Sequence, residues 1–332
     1  MTTPMRAYRM QDVDGRLQLQ LHEAPRPEPG PGQLLVRVRA AGLNRGEFIA
    51  GHGLHGRGSG ARPVGTEAAG EVVALGAGVK GWLIDDRAMG RCPGAFADFA
   101  LLEQREAIAV PAALDWPHAA AIPITFMVVY DMLVLQGRLR AGETLLVAGV
   151  TSGVGVAALQ AAKTMGAEVL GTSGSAAKLE RLAAERLDLG ICTRRPDFAE
   201  AVRQATDGRG ADLAIDAVGG SVFAECVRAL AFEGRLAMVG YVDGVLHAEL
   251  DLEALHAKRL HLFGVSNKLR TPLQRAEPVT GFKADWLPWF ASGRLRPLVD
   301  RVLPFEQLAE AKACMEAGEH VGKIVLAGSD DG

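Results

Sequence analysis

The sequence is poor in the features that mark several classes of protein. Its four cysteines are scattered and contain no C-x-x-C pair; they are Cys92, Cys192, Cys226 and Cys314. This spacing argues against a disulfide scaffold and against a zinc knuckle. Runs of like charge are absent, and 36 basic residues against 39 acidic ones leave a net charge of −3. A nucleic-acid partner is therefore not expected.

Long apolar stretches are missing as well. The longest apolar run, residues 119–130, contains Pro123 and is too short to span a bilayer. The N-terminal segment carries charges and no apolar h-region, so it does not resemble a signal peptide. We expect a cytoplasmic location, a small-molecule substrate and no membrane partner. At 332 residues and 48% hydrophobic content, the chain has room for two globular domains.

A glycine-rich turn between two short apolar runs is the most informative stretch that is present. Residues 145–148 predict a buried strand, residues 149–155 read G-V-T-S-G-V-G, and a helix-favouring, alanine-rich segment runs to Met165. A second strand is predicted at residues 168–172. This order is typical of a βαβ unit in which backbone N–H groups and the helix N-terminus hold the pyrophosphate of a dinucleotide. The turn residues predicted to bind the cofactor are Thr151, Ser152, Gly153, Val154 and Gly155.

The end of the second predicted strand indicates which dinucleotide is bound. NAD sites usually carry an acidic residue about 20 residues after the glycines, where it accepts a hydrogen bond from the ribose 2′-OH. Residues 171–175 read G-T-S-G-S without an acid, and Lys178 and Arg181 follow. Ser173 and Lys178 would suit a 2′-phosphate, although basic residues on a helix are usually solvated charges. The sequence predicts NADPH as the cofactor.

Strand and helix patterns alternate regularly between residues 143 and 264. Strands are predicted at residues 145–148, 168–172, 189–192, 213–216, 236–239 and 260–263. Helices are predicted between most of them, at residues 176–187, 198–206, 222–230 and 252–257. Strands joined by helical crossovers predict a doubly wound parallel sheet.

The segments on either side of this sheet have a different pattern. Residues 1–118 are mostly β, and residues 51–65 form a glycine-rich loop that is either a binding loop or lid, or a surface insertion. After residue 264 the sequence predicts a polar loop, an aromatic segment at 286–290, a helix at 305–317 and a strand at 322–326. This tail is too small to fold alone. The predicted domains are therefore residues 1–120 with 265–332, and residues 121–264.

Several motifs along the chain are similar to those of one family. They include A-G-L-N-R-G-E at residues 41–47, G-T-E-A-A-G-E-V-V-A-L-G at 65–76, T-S-G-V-G at 151–155 and G-K-I-V-L at 322–326. In this order they resemble a medium-chain dehydrogenase/reductase, specifically the zinc-independent quinone oxidoreductase branch. The resemblance implies an α/β protein with a GroES-like, mostly-β catalytic domain and a doubly wound Rossmann domain. It also implies a homodimer.

The resemblance further implies a reaction without a metal. Zinc-dependent relatives have Cys where this chain has Asn44, and a His-Glu pair where it has Thr66 and Glu67, so no metal site is expected. NADPH-dependent reduction of a quinone or of an activated C=C bond in an enone or enal is then implied. Asn44 is the candidate polar contact to the substrate, or else a turn-forming residue. Tyr241 is a candidate proton donor, with packing or an adenosine-side contact as its alternative.

The remaining cofactor candidates follow from their positions in the implied fold. Strand ends face the ligand crevice in such sheets. This places a further set of residues beside the cofactor: Asp216, Val218, Gly240, Tyr241, Ser266 and Asn267. The resemblance adds Thr125, whose region lies near the nicotinamide in relatives. Asp216 is equally of the type that caps a following helix. Relatives often have a Thr-Ala pair near the nicotinamide where this chain has Val128 and Val129, which removes a hydroxyl from that region.

Two alternative functions remain open from the sequence. The first is a non-catalytic NADPH-binding protein, because the family resemblance includes members with structural or trafficking roles. The second is an alcohol dehydrogenase-type carbonyl or alcohol oxidoreductase. An S-x-x-K motif at Ser175–Lys178 lacks the S-D-N and K-T-G partners of the penicillin-recognising serine hydrolases, which argues against that class.

Overall fold

The structure of the protein is a computed structural model that describes residues 4–13, 16–49 and 60–328. The chain divides into two compact units. The first unit comprises Met1–Met127 and Asn267–Gly332, and the second comprises Val128–Ser266. The predicted domains divided the chain at residues 120/121 and 264/265. Most of the predicted loop at residues 51–65 lies outside the described residues.

The secondary structure follows in chain order. The strands are β1 Pro4–Val13, β2 Arg16–Pro25, β3 Gln33–Gly42, β4 Arg62–Pro63, β5 Glu67–Leu75, β6 Arg87–Arg91, β7 Phe99–Glu103, β8 Ile108–Ala109, β9 Thr144–Ala148, β10 Glu168–Ser173, β11 Leu189–Cys192, β12 Ala211–Asp216, β13 Leu230–Met238, β14 His261–Gly264, β15 Val299–Pro304 and β16 Lys323–Ala327. The α-helices are α1 Trp116–Ala120, α2 Thr125–Tyr130, α3 Gly153–Met165, α4 Ala176–Glu180, α5 Ala199–Ala205, α6 Gly220–Ala229, α7 Leu252–Ala257, α8 Pro272–Asp285, α9 Leu287–Ala291 and α10 Leu308–Ala317. Short 3₁₀ turns occur at Arg45–Phe48, Ala183–Glu185 and Phe305–Gln307, and α2 continues as a π-helical segment over Asp131–Gln136. No helix of the described part is both long and apolar enough to cross a membrane.

The first unit is built on a seven-stranded sheet. Its strand order is β15-β16-β3-β5-β6-β8, with β7 also paired to β3, and β2-β1-β4 form a second sheet. The core of this unit includes Met10, Leu34, Phe96, Leu102 and Ile324. The C-terminal strand β16 pairs antiparallel with β3, and the Leu43 N–H donates to the Ile324 carbonyl at 3.0 Å. This pairing brings Lys323, the first residue of β16, to the end of β3 despite their separation in sequence.

The second unit is a six-stranded parallel sheet of order β11-β10-β9-β12-β13-β14. Numbered within the unit, this is the order 3-2-1-4-5-6 of a dinucleotide-binding fold, with its switch point between β9 and β12. The central strands are apolar because both faces of the sheet are covered; every residue of β9 is buried. The predicted doubly wound sheet and mostly-β first domain are confirmed.

Two predictions about local structure were wrong. The segment after residue 264 contains the helix α8, where the sequence predicted only a polar loop. A reciprocal cap explains its start: Thr271 Oγ1 accepts from the Gln274 N–H at 3.3 Å, Gln274 Oε1 accepts from the Thr271 N–H at 2.9 Å, and Pro272 follows the cap. The helix predicted at residues 176–187 stops at Glu180 and continues only as a 3₁₀ turn, which ends where Arg186 adopts a φ of 60°.

Candidate cofactor site and buried polar cluster

The turn between β9 and α3 has the geometry of a backbone-lined cradle. Gly149 adopts a φ of +82°, a left-handed conformation that favours glycine. The side chain of Ser152 caps α3 by accepting a hydrogen bond from the Gly155 N–H at 3.0 Å. A Cβ atom on Gly155 would lie 2.4 Å from the Gly149 carbonyl oxygen, so the turn closes only around glycine. The first N–H groups of α3 and its positive dipole end fit a pyrophosphate.

Strand β10 lies close against this turn. A Cβ atom on Gly171 would stand 2.6 Å from Val150 Cβ, and Thr172 Oγ1 accepts from the Gly149 N–H at 3.3 Å. The hydroxyls of Thr151 and Ser173 are 3.4 Å apart. The structure therefore brings Thr151 and Ser173, two of the predicted cofactor residues, into contact at the carboxyl ends of β9 and β10.

An arginine that was not predicted from the sequence lies against the loop after β10. Arg194 lies against Gly174: a Cβ atom on Gly174 would be 2.9 Å from Arg194 Nε and 3.0 Å from Cζ. Ser173 Oγ accepts from the Ser175 N–H at 3.3 Å in the same loop. Arg194 could have been predicted from the strand order: β10 and β11 are parallel neighbours, so the residues that follow them lie close together. Lys178 lies half-buried in α4, which begins in this loop.

Asp216 holds the turn that follows β12. Its side chain is fully buried; Oδ1 accepts from the Val218 N–H at 2.9 Å and from the Gly219 N–H at 2.8 Å. Burial raises the pKa of Asp216 to about 6. A Cβ atom on Gly149 would stand 3.3 Å from Val218 Cγ2, so the turns after β9 and β12 meet at the switch point. Asp216 thus holds the turn before α6 and does not cap the first turn of that helix, whose N-cap, Gly219, has no side-chain cap bond. Val218 lies at the switch point.

The other cofactor candidates divide between the two units. Gly240 and Tyr241 follow β13, and Ser266 follows β14, so they lie at the same carboxyl edge of the parallel sheet. Asn44, Thr125 and Asn267 belong to the first unit.

Asn44 lies in a polar cluster of the first unit that comprises Asn44, Glu47, Thr66, Glu67 and Lys323, called here the Asn44 cluster. Asn44 Nδ2 donates to Glu67 Oε1 at 2.9 Å and to Thr66 Oγ1 at 3.3 Å. Lys323 Nζ donates to Asn44 Oδ1 at 2.9 Å and to Glu67 Oε1 at 2.7 Å. Glu67 has no solvent exposure and Lys323 only 5%, so this ion pair is buried. Neither Glu47 nor Lys323 was among the site residues predicted from the sequence. A lysine at the start of an otherwise apolar strand could have indicated a buried, paired charge.

Two further contacts complete the cluster. The Thr66 hydroxyl donates to Glu47 Oε1 at 2.5 Å, and Glu47 Oε2 accepts from the Asn44 N–H at 2.9 Å. Glu67 Oε2 accepts from the Ile124 N–H at 2.7 Å, one residue before Thr125 at the start of α2. Burial raises the pKa of Glu47 to about 7. Asn44, both carboxylates and the backbone next to Thr125 are thus tied into one hydrogen-bonded network.

The residues of this cluster do not fit a catalytic zinc ion. Zinc sites use thiolate, imidazole and carboxylate ligands, whereas Asn44 and Thr66 carry an amide and a hydroxyl. Glu67 Oε1 already accepts from an ammonium group, Lys323 Nζ. Burial and the neighbouring carboxylates raise the pKa of the Cys92 thiol, which opposes formation of a thiolate ligand. Across the described ranges, no group of three or more His, Cys, Asp or Glu residues is arranged to hold a metal.

Comparisons with known proteins agree with this architecture. Residues 30–112 match the alcohol dehydrogenase GroES-like domain, and residues 188–326 match the family described as zinc-binding dehydrogenase. The chain is 34% identical over 323 residues to a phenolphthiocerol/phthiocerol polyketide synthase of Mycobacterium tuberculosis, an alignment that covers 96% of this chain and 15% of the synthase. The chain thus spans a small part of the length of that relative.

A relative of more similar length is the human synaptic vesicle membrane protein VAT-1 homolog. It is 30% identical over 328 residues, which cover 94% of this chain and 83% of the relative. Among solved structures, mycobacterial Rv1454c complexed with NADPH has a TM-score of 0.85 at 25% identity, covering 97% of this chain and 99% of that one. A mycobacterial quinone oxidoreductase has a TM-score of 0.82 at 25% identity with the same coverage.

The family matches, the long alignment with the VAT-1 homolog and the two-unit architecture point to the same conclusion. The chain belongs to the medium-chain dehydrogenase/reductase superfamily.

Proposed function

We propose that this protein is an oxidoreductase that uses NADPH to reduce a quinone, or the activated C=C bond of an enone or enal, without zinc. The observation that carries the proposal is the closed Asn44 cluster. Its carboxylate Glu67 is paired with the ammonium of Lys323 at 2.7 Å. A site built in this way offers no Lewis acid to stabilise an alkoxide, so we expect an acceptor that is electrophilic by itself.

The preference for NADPH is supported by the loop after β10. No acidic residue directly follows the strand to accept from a ribose 2′-OH, and Ser173 occupies that end of the strand. Arg194 lies against Gly174 in this loop, and Lys178 lies in the first turn of α4, the helix that follows. A guanidinium group binds phosphate well because its N–H groups match the phosphate oxygens in geometry and charge. The NADPH complex of Rv1454c is consistent with this proposal.

The proposed reaction needs orientation and a hydrogen-bond donor more than it needs an ionising residue. NADPH, when bound, supplies the hydride, and negative charge then develops on the carbonyl oxygen of the acceptor. Asn44 is the residue we assign to that oxygen. Of its two N–H groups, one makes a short bond to Glu67 and the other a longer bond of 3.3 Å to Thr66. The longer, weaker bond is the one that exchanges for a substrate oxygen at the least cost.

A panel of acceptors tests the proposal. The purified protein is incubated with NADPH and a series of quinones, enones and enals, and NADPH consumption is followed by absorbance. The reverse assay uses NADP⁺ with saturated alcohols. We expect turnover with members of the first panel and poor alcohol oxidation. NADPH binding without any turnover would favour a non-catalytic NADPH-binding protein, and robust alcohol oxidation with inert quinones and enones would favour an alcohol dehydrogenase-type activity.

Zinc content provides a separate test. We expect elemental analysis of the untagged protein to show well under one zinc ion per chain, because the residues of the Asn44 cluster are poor zinc ligands. Treatment with a chelator should leave turnover of the best acceptor unchanged. A stoichiometric zinc ion whose removal abolishes turnover would contradict the zinc-independent reaction.

A further inference from the structure

Lys323 uses its entire hydrogen-bonding capacity on two side chains of the Asn44 cluster and on the backbone carbonyl next to Asn44. Its ammonium group has three N–H donors, and three acceptors surround it: the Leu43 carbonyl at 2.7 Å, Asn44 Oδ1 at 2.9 Å and Glu67 Oε1 at 2.7 Å. A buried ammonium is costly unless it is paired in this way. Since two of these three bonds are to side chains of the Asn44 cluster, Lys323 is placed to fix the geometry of that cluster.

We infer that Lys323 is a positioning residue that sets the orientation of the Asn44 amide; this inference rests on the proposed function. The two ends of an amide have nearly the same shape, so their hydrogen-bond partners decide which end points where. An ammonium only donates, which forces the carbonyl end of Asn44 toward Lys323. A carboxylate only accepts, which draws the amino end toward Glu67. Together they direct the N–H groups away from the ammonium and toward Glu67 and Thr66.

The backbone around the cluster leaves little room for another arrangement. A Cβ atom on Gly42 would stand 2.6 Å from Glu67 Oε1, so the carboxylate fills the space beside β3. The pairing of β16 with β3 places Lys323 at its position through the hydrogen bond from Leu43 to Ile324. Asn44 precedes the 3₁₀ turn Arg45–Phe48, and its own N–H is held by Glu47. Because the backbone is held on both sides, the main remaining motion of the Asn44 side chain is the rotation that exchanges its amide oxygen and nitrogen. The hydrogen bond from Lys323 to Asn44 Oδ1 opposes that rotation.

A double-mutant cycle tests this role. We expect Lys323→Met to lower kcat/KM for the best quinone or enone by about 10- to 100-fold, as Asn44→Ala does, with the Kd for NADPH changed by less than about twofold. In the Asn44→Ala background, Lys323→Met should cost less than about a further twofold, because the residue it positions is gone. Lys323→Arg, which keeps the charge and the donors, should restore most of the activity. Independent, multiplicative losses in the cycle would overturn the inference.

Lys323→Met leaves the Glu67 carboxylate buried beside an apolar side chain and can fail to fold. The double variant Lys323→Met/Glu67→Gln then replaces it, since it also removes the Glu67 carboxylate that would otherwise be left without its cation. Glu67→Gln alone, which keeps the Lys323 bonds to the Leu43 carbonyl and to Asn44 Oδ1, is the variant it is compared with. We expect the double variant to lose at least about tenfold more kcat/KM than Glu67→Gln, and an equal loss in the two would contradict a role for Lys323.

A readout that does not depend on turnover separates this inference from the proposed function. NMR of the side-chain amide of Asn44, assigned by comparison with Asn44→Ala, follows the hydrogen exchange of its two N–H groups. We expect slow exchange in the wild type and in Lys323→Arg, and faster exchange in Lys323→Met or its charge-neutral replacement. Unchanged exchange would overturn the positioning role. Failure of the acceptor panel alone would overturn only the proposed reaction.

Discussion

At the scale of single residues, the hydrogen bonds of the Asn44 side-chain amide determine how much Asn44 can contribute to the reaction. Both of its N–H groups and its carbonyl oxygen have partners inside the Asn44 cluster. A side chain held in this way is pre-oriented, and exchanging one weak bond for a contact to the substrate costs little. Asn44 should therefore assist the reaction without being indispensable to it.

We expect Asn44→Ala to reduce kcat/KM by about 10- to 100-fold, equivalent to about 1.4–2.7 kcal/mol of transition-state stabilisation. The Kd for NADPH should be nearly unchanged, because the side chain of Asn44 bonds Thr66, Glu67 and Lys323 and no residue of the glycine turn. Steady-state kinetics and a cofactor titration measure the two effects. Gln18→Ala, an exposed substitution in the first unit, is the control. A wild-type rate for Asn44→Ala would reduce Asn44 to a structural turn residue.

Arg194 provides the test of cofactor choice. Arg194→Ala should weaken NADPH binding by about tenfold or more, since a charge-assisted hydrogen bond contributes about 1.5–3 kcal/mol. The affinity for NADH should change by less than about twofold, because NADH lacks the 2′-phosphate. Titration of both cofactors against Arg194→Ala and Lys178→Ala measures the selectivity. Arg195→Ala removes the same charge at the neighbouring exposed position and serves as the matched control. Equal losses for both cofactors would contradict a 2′-phosphate contact.

At the scale of elements, the backbone segments of the β9–α3 turn lie too close together to leave room for a side chain at Gly155. We expect Gly155→Ala to weaken the binding of NADPH and NADH alike, by about tenfold or more, and to lower Tm. The added Cβ would lie 2.4 Å from the Gly149 oxygen and 2.7 Å from Val150 Cα, so the cradle must open. Gly264→Ala is the control in the same unit, because a Cβ there meets nothing within 4 Å. Unchanged affinity in Gly155→Ala would mean that the turn is not the pyrophosphate site.

Elements also show where local sequence patterns have limited value. The strand β9 and the helix α3 were predictable because periodicity, a capping serine and a C-cap glycine lie within one short segment. The helix α8 was missed although Thr271, Pro272 and Gln274 form a recognisable start signal. Its body is polar and contains Pro278, which weakens the helical pattern, while burial of Val279 and Phe282 in the folded unit compensates.

At the scale of the whole molecule, the buried carboxyl of Glu47 makes the stability of the first unit depend on pH. Its pKa is raised from 4.5 to about 7 by burial. A raised pKa means that the folded state favours the protonated acid. The stability contributed by Glu47 is therefore fully present below pH 4.5 and is lost as the pH rises through 7. A shift of this size corresponds to about 3 kcal/mol.

We expect the unfolding free energy of the first unit to decrease between about pH 5 and pH 8, and Glu47→Gln to flatten this decrease. The four tryptophans, Trp82, Trp116, Trp286 and Trp289, all lie in the first unit, so their fluorescence during urea denaturation reports on that unit. The pKa of Asp216 is raised to about 6, so the stability of the second unit should also decrease as the pH rises. Circular dichroism detects unfolding of both units, whereas tryptophan fluorescence detects only that of the first. A pH profile in Glu47→Gln as steep as in the wild type would contradict the assignment.

Most of the second unit could be predicted from the amino-acid sequence alone. The strand, glycine turn, helix and strand of its βαβ core depend on interactions between residues close in sequence, so periodicity and turn chemistry were sufficient to predict them. The absence of an acid after β10 and of thiolate and imidazole ligands at Asn44 and Thr66 was equally visible in the sequence.

The contacts that these residues make depend on the folded chain. Lys323 reaches Asn44 across 279 residues of sequence only because β16 joins the sheet beside β3, and Arg194 reaches Gly174 only because β10 and β11 are parallel neighbours. No local pattern records such a contact, since it depends on which strands pair and in which register. The sequence, through its family resemblance, predicted that zinc ligands are replaced at Asn44 and Thr66; only the fold showed that an ammonium group is bonded to Glu67 in the same cluster.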